Sequence, residues 1–308
     1  MPTSDAFSND IPVIQNMSSP AQQEWVKTLP ALVDEFEDRW NVVTESPFRS
    51  GTSAWVAKGS LPDGRPVVLK IVWPHREADG EALALQFWDG EGAIKVHSYD
   101  REKYALLLEA CVPGQSLADA DLPPVEGLTA GAESLARLWS KEPPADLDLE
   151  SLGLVMNDWA DEARTAVERF SPPIDIGVVN EGLGLLESLA AQPSRTVVLH
   201  GDFNPSNLLR AGRQPWLAID AKPMVGDAGF DVEPLISQIG DPYGDSDVEK
   251  VLLNRYELVA QITGERRERL LAWACARTTV AACWSAEDGL DAKPGMERAT
   301  LLARLADR

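Results

Sequence analysis

The chain has 308 residues and 44% hydrophobic content, which is enough for two lobes that each bury a core. Its 49 acidic residues outnumber the 28 basic ones and give a formal net charge of −21, which argues against a nucleic-acid partner because phosphate binding needs a basic surface. No apolar run approaches the ~18 residues of a membrane-spanning helix, so no membrane partner is expected.

The N-terminal segment and the cysteines indicate a cytoplasmic protein. Residues 1–18 contain neither a basic region nor a hydrophobic core, so they do not form a secretory signal and are expected to be a loosely ordered tail. The cysteines are odd in number and lack a C-x-x-C pair, which argues against a zinc ribbon or a disulfide framework: Cys111, Cys275 and Cys283. Buried, reduced thiols are the expected state.

The first half of the chain predicts one long helix followed by a sheet. Ser19 and Pro20 are suited to cap and begin a helix over 19–39, which Pro30 should bend or divide. Runs typical of strands follow at 40–45, 53–57 and 67–72, then a helix at 76–88, then strands at 94–98 and 104–109.

After Pro113-Gly114 the pattern becomes helical. Helices are predicted at 127–141, 152–170 and 178–191, and again from about 230 to the end, where 267–286 has the strongest pattern. Two short apolar runs between these groups, 197–199 and 216–219, are typical of strands. The change in pattern predicts a sheet-rich lobe at 1–112 and a helix-rich lobe at 113–308.

The polar segment between these two short strands carries the most informative chemistry. It runs His200-Gly201-Asp202-Phe203-Asn204-Pro205-Ser206-Asn207, and Asp220 follows thirteen residues after Asn207. A kinase-like phosphotransferase places an aspartate against the acceptor hydroxyl and an Asn/Asp pair on Mg²⁺. We therefore expect Asp202 to be the catalytic base and Asn207 and Asp220 to be metal ligands. The alternative is that these polar residues only form turns and helix caps.

Lys70 lies in the run 67–72, which is otherwise typical of a buried strand in which an unpaired ammonium is costly. In a kinase, a lysine on a strand contacts the nucleotide phosphates and pairs with a glutamate of the next helix. Glu81 is the expected partner, and Glu77 is the less favoured one. The alternative is an edge-strand lysine that points to solvent.

Two further segments are candidates for nucleotide contacts. Small residues between two predicted strands would let backbone N–H groups approach phosphate oxygens, although a plain hairpin turn explains them equally well: Ser50, Gly51, Thr52 and Ser53. The backbone around Glu109 and Cys111, where the two halves of the sequence join, is expected to form hydrogen bonds with adenine.

With these residues in place, the chain resembles the aminoglycoside phosphotransferase family within the protein-kinase-like fold, in particular its streptomycin 6-phosphotransferase/hydroxyurea phosphotransferase branch. The resemblance covers most of the chain, and its most branch-specific runs are Trp216-Leu217-Ala218-Ile219-Asp220 and Val225-Gly226-Asp227-Ala228-Gly229-Phe230-Asp231. It implies an α+β fold with a small N-terminal, nucleotide-binding lobe that contains an antiparallel sheet. The larger, mainly helical C-terminal lobe would hold the catalytic loop and the acceptor site.

The resemblance also implies ATP- and Mg²⁺-dependent phosphoryl transfer to a hydroxyl of a small molecule. In that reaction Asp202 would be the catalytic base, and Asn207 and Asp220 would bind Mg²⁺. Lys70 would orient the ATP phosphates. His200 would brace the catalytic loop, and Asp231 would tie that loop to the following helix. Because Ala221-Lys222 follows Asp220 where protein kinases have Phe-Gly, no activation-loop switch is expected.

The acceptor is expected beside Asp202, and the acidic composition suggests a cationic one. The alternative, which applies to most of the acidic residues, is that they only keep the protein soluble. Carboxylates and an aromatic face would favour guanidinium or ammonium groups, and the candidate residues are Asp227, Glu233, Trp284, Glu287 and Asp288. Each has a structural alternative; Glu287-Asp288-Gly289 is also typical of a solvated helix end. Streptomycin is the first expected acceptor and an amino sugar the second.

Two other functions stay open on the sequence. One is a metabolic kinase of a sugar, an amino sugar or a hydroxyurea-like compound. The other is a catalytically inactive, nucleotide-binding protein. The complete set of Lys70, Asp202, Asn207 and Asp220 argues against the inactive protein, because a decayed kinase commonly loses at least one of these residues.

Overall fold

The computed structural model describes Phe7, residues 11–49, Gly51, and residues 53–76, 78–167 and 175–307. Ser50, Thr52 and Glu77, for which the sequence makes predictions, lie outside the described residues. The chain divides into two compact units. In addition to the expected residues 1–112, the first unit includes residues 113–114 and Ala211–Arg213; the second comprises Gln115–Arg210 and Gln214–Arg308.

The first unit contains helix α1 (Pro12–Asn16) and helix α2 (Pro20–Trp40). Ser19 caps α2 as predicted: its hydroxyl accepts from the Gln22 N–H at 3.3 Å, while the Gln22 side chain accepts from the Ser19 N–H at 2.9 Å. Pro30 lies inside this one helix and does not divide it, so of the two predicted effects only a bend stays a prediction. The buried face continues on both sides of the proline and stabilises the helix there: Trp25, Leu29, Val33 and Phe36.

Residues 11–17 are not the loose tail that the sequence predicts. Ile11, Val13 and Met17 are buried in the same core as α2, and Phe7 stacks on Trp55 with ring centroids 5.9 Å apart. The burial of these apolar side chains against the sheet offsets the conformational entropy that a short helix loses.

The described strands of the first unit form a five-stranded antiparallel sheet in the order β1-β2-β3-β5-β4. The strands are β1 (Val43–Pro47), β2 (Ala54–Ser60), β3 (Pro66–Val72), β4 (Val96–Asp100) and β5 (Ala105–Glu109), and helix α3 (Ala78–Trp88) lies between β3 and β4 in sequence. Lys70 on the central strand β3 pairs with Val56 on one side and Leu106 on the other. The edge-strand alternative for Lys70 is therefore wrong.

The second unit is mainly helical in its described part. Its helices are α4 (Pro124–Leu138), α5 (Leu152–Val167), α6 (Ile176–Ala191), α7 (Val232–Gln238), α8 (Val248–Thr263), α9 (Arg267–Glu287) and α10 (Lys293–Ala306). Helix α9 packs against α5, α6, α8 and α10, and buried side chains lie on most of its faces, as expected for a central helix. Across the ranges that the structure describes, no helix is both long and apolar enough to cross a membrane.

Short antiparallel strand pairs hold the polar segment of the second unit. Strand β6 (Thr196–Leu199) pairs with β9 (Met224–Asp227), and β7 (Leu208–Arg210) pairs with β8 (Trp216–Ala218). The sequence predicts β6 and β8 but misses β7 and β9, because each of these two strands ends in a charged residue that interrupts its short apolar run. Residues 200–207 therefore form the loop between β6 and β7, and Asp220 follows β8.

Candidate active site

Lys70 and Glu81 form a buried ion pair in the first unit. The Lys70 Nζ lies 2.8 Å from Oε1 and 2.7 Å from Oε2 of Glu81, and only 7% of Lys70 and 4% of Glu81 is exposed. The central strand β3 supplies the lysine and the first turn of α3 supplies the glutamate. A buried ammonium is costly unless it is paired, so this carboxylate both stabilises the lysine and fixes its direction.

The small residues before β2 are described only in part. Gly51 has φ +88°, a left-handed conformation that favours glycine, and it is exposed. The carbonyl of Ser53 accepts the Trp73 N–H at 2.8 Å, which ties the start of β2 to the end of β3. Phosphate contacts of this segment stay a prediction.

The segment around Glu109 and Cys111 is expected to form hydrogen bonds with adenine. Some of its polar groups already have partners within the protein. The Glu109 N–H donates to the Lys95 carbonyl at 2.8 Å, and the Glu109 carboxylate accepts from Arg213 at 2.9 Å. Burial raises the pKa of Glu109, but the hydrogen bonds from Arg213 and from the Lys95 N–H bring it below its ordinary value. The predicted adenine contact therefore rests on the Glu109 carbonyl and on the Cys111 backbone.

In the second unit, His200 and Asp231 are completely buried and hold the loop 200–207 in place. The Asp231 carboxylate accepts the N–H groups of His200 and Gly201, each at 2.8 Å. The His200 Nδ1 accepts the Asp202 N–H at 3.3 Å, so its Nε2 carries the proton and donates to the Ile219 carbonyl at 2.9 Å. Burial lowers the pKa of His200 and raises the pKa of Asp231. These contacts support the structural roles expected of both residues.

Gly201 brings the loop against the segment after Asp220. Its φ is +82°, and a Cβ at this position would lie 1.9 Å from the Lys222 carbonyl oxygen. The Lys222 N–H donates to the His200 carbonyl at 2.8 Å. Only glycine fits this close approach, which fixes the spacing between the two segments that carry Asp202 and Asp220.

Asp202 is half-buried, and each of its carboxylate oxygens has a partner. The Asn204 side-chain amide donates to Oδ1 at 3.0 Å, and the Lys222 Nζ lies 3.2 Å from Oδ2. Sequence reasoning missed both partners. Their only signals are an asparagine two residues after Asp202, which is typical of an Asx turn, and a lysine two residues after Asp220.

Asn207 and Asp220 have the oxygen donors that Mg²⁺ prefers. The Asn207 Nδ2 donates to the Asp202 carbonyl at 3.0 Å, so the carboxamide oxygen is the atom that this residue has for a cation. The Ile219 N–H donates to the Asn207 carbonyl at 3.0 Å, and Asp220 follows in a left-handed conformation with an exposed side chain. Within the described ranges no cluster of three or more His, Cys, Asp or Glu residues could hold a metal. These two residues fit a Mg²⁺ that takes its other ligands from phosphate and water.

Asp227 lies in the packed interior, not on the wall of an acceptor pocket, which corrects the expectation for this residue. It is completely buried. Its Oδ1 accepts from the Trp273 indole N–H at 2.6 Å, and its Oδ2 accepts from Arg269 at 2.9 Å and from the Ser194 N–H at 2.7 Å. A buried carboxylate with these partners joins β9 to α9 and is not free for a ligand.

Glu233 lies near two arginines, and Trp284 packs against another tryptophan. Burial raises the pKa of Glu233, while Arg277, a hydrogen bond with Ser237, and Arg298 oppose the rise. The Trp284 ring packs edge-on against Trp159, with centroids 4.8 Å apart. Substrate contacts of Glu233 and Trp284 stay predictions.

Arg277, to which the sequence assigns no role, contacts Phe230. Its guanidinium donates to the Phe230 carbonyl at 2.9 Å and lies 4.0 Å from the Phe230 ring centroid. Burial lowers the pKa of Arg277, and the neighbouring carboxylates of Glu233, Asp231 and Asp202 oppose this shift.

Glu287 and Asp288 form the exposed C-terminal end of α9. Asp288 is the C-cap residue and donates its N–H to the Trp284 carbonyl at 3.0 Å, and Gly289 follows with φ +76°. This is the geometry of the solvated helix end that the sequence offers as the alternative. A contact between these two carboxylates and an acceptor stays a prediction.

Comparison with known proteins identifies the family of this chain. A model of the family described as aminoglycoside/hydroxyurea antibiotic resistance kinase matches residues 39–289. The chain is 34% identical to a streptomycin 6-kinase of Streptomyces glaucescens over 87% of this chain and 86% of that protein. It is 32% identical to a hydroxyurea phosphotransferase of Kitasatospora aureofaciens over 90% of this chain and 79% of that protein.

The fold has relatives among solved structures. A choline/ethanolamine kinase family protein from Mesorhizobium loti superposes with a TM-score of 0.62 at 16% identity, over 90% of this chain and 95% of that chain. The predicted protein-kinase-like fold is thereby confirmed, with an antiparallel sheet in the first unit and a mainly helical second unit.

Proposed function

The chain belongs to the aminoglycoside/hydroxyurea antibiotic resistance kinase family, and we propose that it transfers the γ-phosphate of ATP to a hydroxyl group of streptomycin. Its relatives are kinases and phosphotransferases of small molecules, so the chain is an ATP-dependent small-molecule kinase. The observation that carries the proposed chemistry is the 3.0 Å bond between Asn207 Nδ2 and the Asp202 carbonyl. It joins the proposed base and a proposed metal ligand in one rigid loop.

Asp202 has the geometry of a residue that orients an acceptor hydroxyl. Its carboxylate is half-buried and held at both oxygens, so its direction is set before the substrate binds. The hydroxyl would donate a hydrogen bond to this carboxylate and lose its proton to it as the bond to phosphorus forms. Because a carboxylate is a weak base, positioning and charge neutralisation supply most of the acceleration.

Lys70, Asn207 and Asp220 are the proposed ligands of the ATP phosphates and of their Mg²⁺. In the first unit, Lys70 would donate hydrogen bonds to phosphate oxygens while Glu81 holds its ammonium in place. In the second unit, Asn207 and Asp220 would hold a Mg²⁺ through their side-chain oxygens. When bound, this ion neutralises charge on the transferring phosphoryl group.

Streptomycin is the proposed acceptor because a streptomycin 6-kinase is 34% identical to this chain over 87% of this chain and 86% of that protein. By that likeness we propose the 6-hydroxyl as the phosphorylated position. Streptomycin carries guanidinium groups, and the net charge of −21 would raise the local concentration of such a cation. Hydroxyurea is the second candidate, because a hydroxyurea phosphotransferase is 32% identical over 90% of this chain.

We further propose that the reaction takes place in the cytoplasm. All three cysteines lie in the described part of the chain, and each is free and buried. Unpaired cysteines are typical of a reducing compartment, which is also where ATP is abundant.

An acceptor panel tests the proposed function. The purified protein should consume ATP with streptomycin and give a product heavier by one phosphoryl group, located by NMR at the 6-hydroxyl. Hydroxyurea, glucosamine, glucose and choline serve as competing acceptors, and Asp202→Asn is the matched control for contaminating kinases. The KM for streptomycin should rise with ionic strength, as expected for a charge-steered ligand. Turnover of hydroxyurea or of a neutral sugar without turnover of streptomycin would overturn the acceptor assignment.

A further inference from the structure

We propose that Lys222 is a positioning residue for phosphoryl transfer, whose ammonium holds the Asp202 carboxylate in the direction that the acceptor hydroxyl requires. The proposal rests on the proposed function, because it takes Asp202 as the residue that receives the acceptor proton. The Lys222 Nζ lies 3.2 Å from Oδ2 of Asp202, while the Asn204 amide lies 3.0 Å from Oδ1. With a donor on each oxygen, the plane of the carboxylate is set.

The backbone gives Lys222 a fixed position relative to the catalytic loop. The Lys222 N–H bonds to the His200 carbonyl at 2.8 Å, and the Lys222 carbonyl lies so close to Gly201 that a Cβ would be 1.9 Å away. Asp202 is the next residue after Gly201. The Cα atoms of Lys222 and Asp202 are therefore held by contacts that do not involve their side chains, and the two side chains start from a set separation.

The sequence of the loop explains why the cation comes from another segment. Between Asp202 and Asn207 the residues are Phe203, Asn204, Pro205 and Ser206, so the loop has no cationic side chain of its own. The Lys222 ammonium reaches the Asp202 carboxylate at ion-pair distance.

The exposure of the pair argues for a role in activity more than in stability. The Lys222 side chain is 50% exposed and that of Asp202 is 33% exposed. Ion pairs this accessible to water contribute little to folding stability. A substitution at Lys222 should therefore leave the thermal unfolding midpoint unchanged while it lowers kcat.

The experiment replaces the ammonium and then restores it. Lys222→Met and Lys222→Cys remove the charge, and Lys222→Arg keeps it. Treatment of Lys222→Cys with 2-bromoethylamine forms a thioether that ends in an ammonium at the length of lysine. The native cysteines should not react, because they are buried and burial raises the pKa of Cys111 and Cys275 to about 12 and that of Cys283 to about 11. Lys250→Cys on the exposed face of α8 is the matched control.

The expected result is a kcat at least ~10-fold lower for Lys222→Met and for untreated Lys222→Cys, a magnitude typical of a misplaced general base. The KM for ATP should change little. Alkylation of Lys222→Cys should restore most of the kcat, Lys222→Arg should retain activity, and Lys250→Cys should behave as the wild type throughout. A wild-type kcat in Lys222→Met, or a loss that alkylation does not restore, overturns the proposal.

The same variants are compared in acceptor-free ATP hydrolysis, in which water takes the place of the hydroxyl at Asp202. If the wild type phosphorylates none of the acceptors, the proposed function fails. The ratio of ATP hydrolysis rates between the wild type and Lys222→Met still tests the positioning role of Lys222. Equal hydrolysis rates overturn the positioning role, and a lower rate that alkylation of Lys222→Cys restores supports it.

Discussion

The Asp231 carboxylate accepts the backbone N–H groups of His200 and Gly201, each at 2.8 Å, and so joins the catalytic loop to the start of α7. All of Asp231 is buried. Because both oxygens are occupied by the loop backbone, Asp231 stabilises the segment that carries Asp202 without contacting a substrate.

The first prediction concerns this contact. Asp231→Ala should lower the free energy of unfolding by at least about 2 kcal/mol, because two buried N–H groups lose their acceptor. Urea unfolding followed by circular dichroism measures the loss. The control is Asp288→Ala at the exposed end of α9, which should change stability by no more than about 0.5 kcal/mol. Equal stability of Asp231→Ala and the wild type would contradict the assigned role.

The second prediction is that Asp202 acts on the acceptor and not on the nucleotide. Asp202→Asn should lower kcat by at least ~10²-fold, the lower range for the loss of a general base. The Kd for Mg·ATP, measured by calorimetry, should change little because the metal ligands are retained. A variant with nearly wild-type turnover would remove Asp202 from this role.

The third prediction concerns the metal. Asp220→Ala should abolish turnover and weaken the binding of Mg·ATP more than the binding of metal-free ATP, because a hard cation loses an oxygen ligand. Isothermal calorimetry with and without Mg²⁺ separates the two effects. If both forms of the nucleotide bind equally weakly, Asp220 only shapes the loop.

The fourth prediction concerns the ion pair of the first unit. Lys70→Ala should raise the KM for ATP and lower kcat, and Glu81→Ala should do the same to a smaller extent, because it leaves the ammonium without its fixed partner. A double-mutant cycle on kcat/KM should give a clear interaction energy. Additive losses would show that the two residues do not act as one unit.

The fifth prediction is a dependence of stability on pH that comes from His200. Burial lowers the pKa of His200 below its ordinary value of 6.5, so the unfolded chain binds a proton more readily than the folded one. Stability is then fully present above pH 6.5 and is lost as the pH falls towards the folded pKa. Protonation would also break the bond that Nδ1 accepts from the Asp202 N–H.

The measurement is the free energy of unfolding between pH 7.5 and about pH 5. The decrease towards acid should be smaller in His200→Gln than in the wild type. His75→Gln, at an exposed position, is the control for the removal of a histidine. An unchanged slope in His200→Gln would exclude His200 as its cause.

Much of the fold could be predicted from the sequence because its signals are local. The capping box at Ser19, the apolar run around Lys70 and the long apolar pattern of α9 each depend on residues within a few positions of one another. The same holds for the polar segment 200–207 between β6 and β7, where the order of residue types indicates a base and a metal ligand. Local patterns of this kind also predict the pairing of Lys70 with Glu81.

The tertiary structure decided which charged side chains are free for a ligand. Asp227 resembles a surface carboxylate in sequence, yet Trp273, 46 residues later, donates to it inside the core. The only local signal for Lys222 is its place two residues after Asp220, and the tight approach of its backbone to Gly201 is what brings its ammonium to Asp202. Local sequence determines which residues an element carries. Burial and charge depend on contacts between distant segments, and those contacts exist only once the chain has folded.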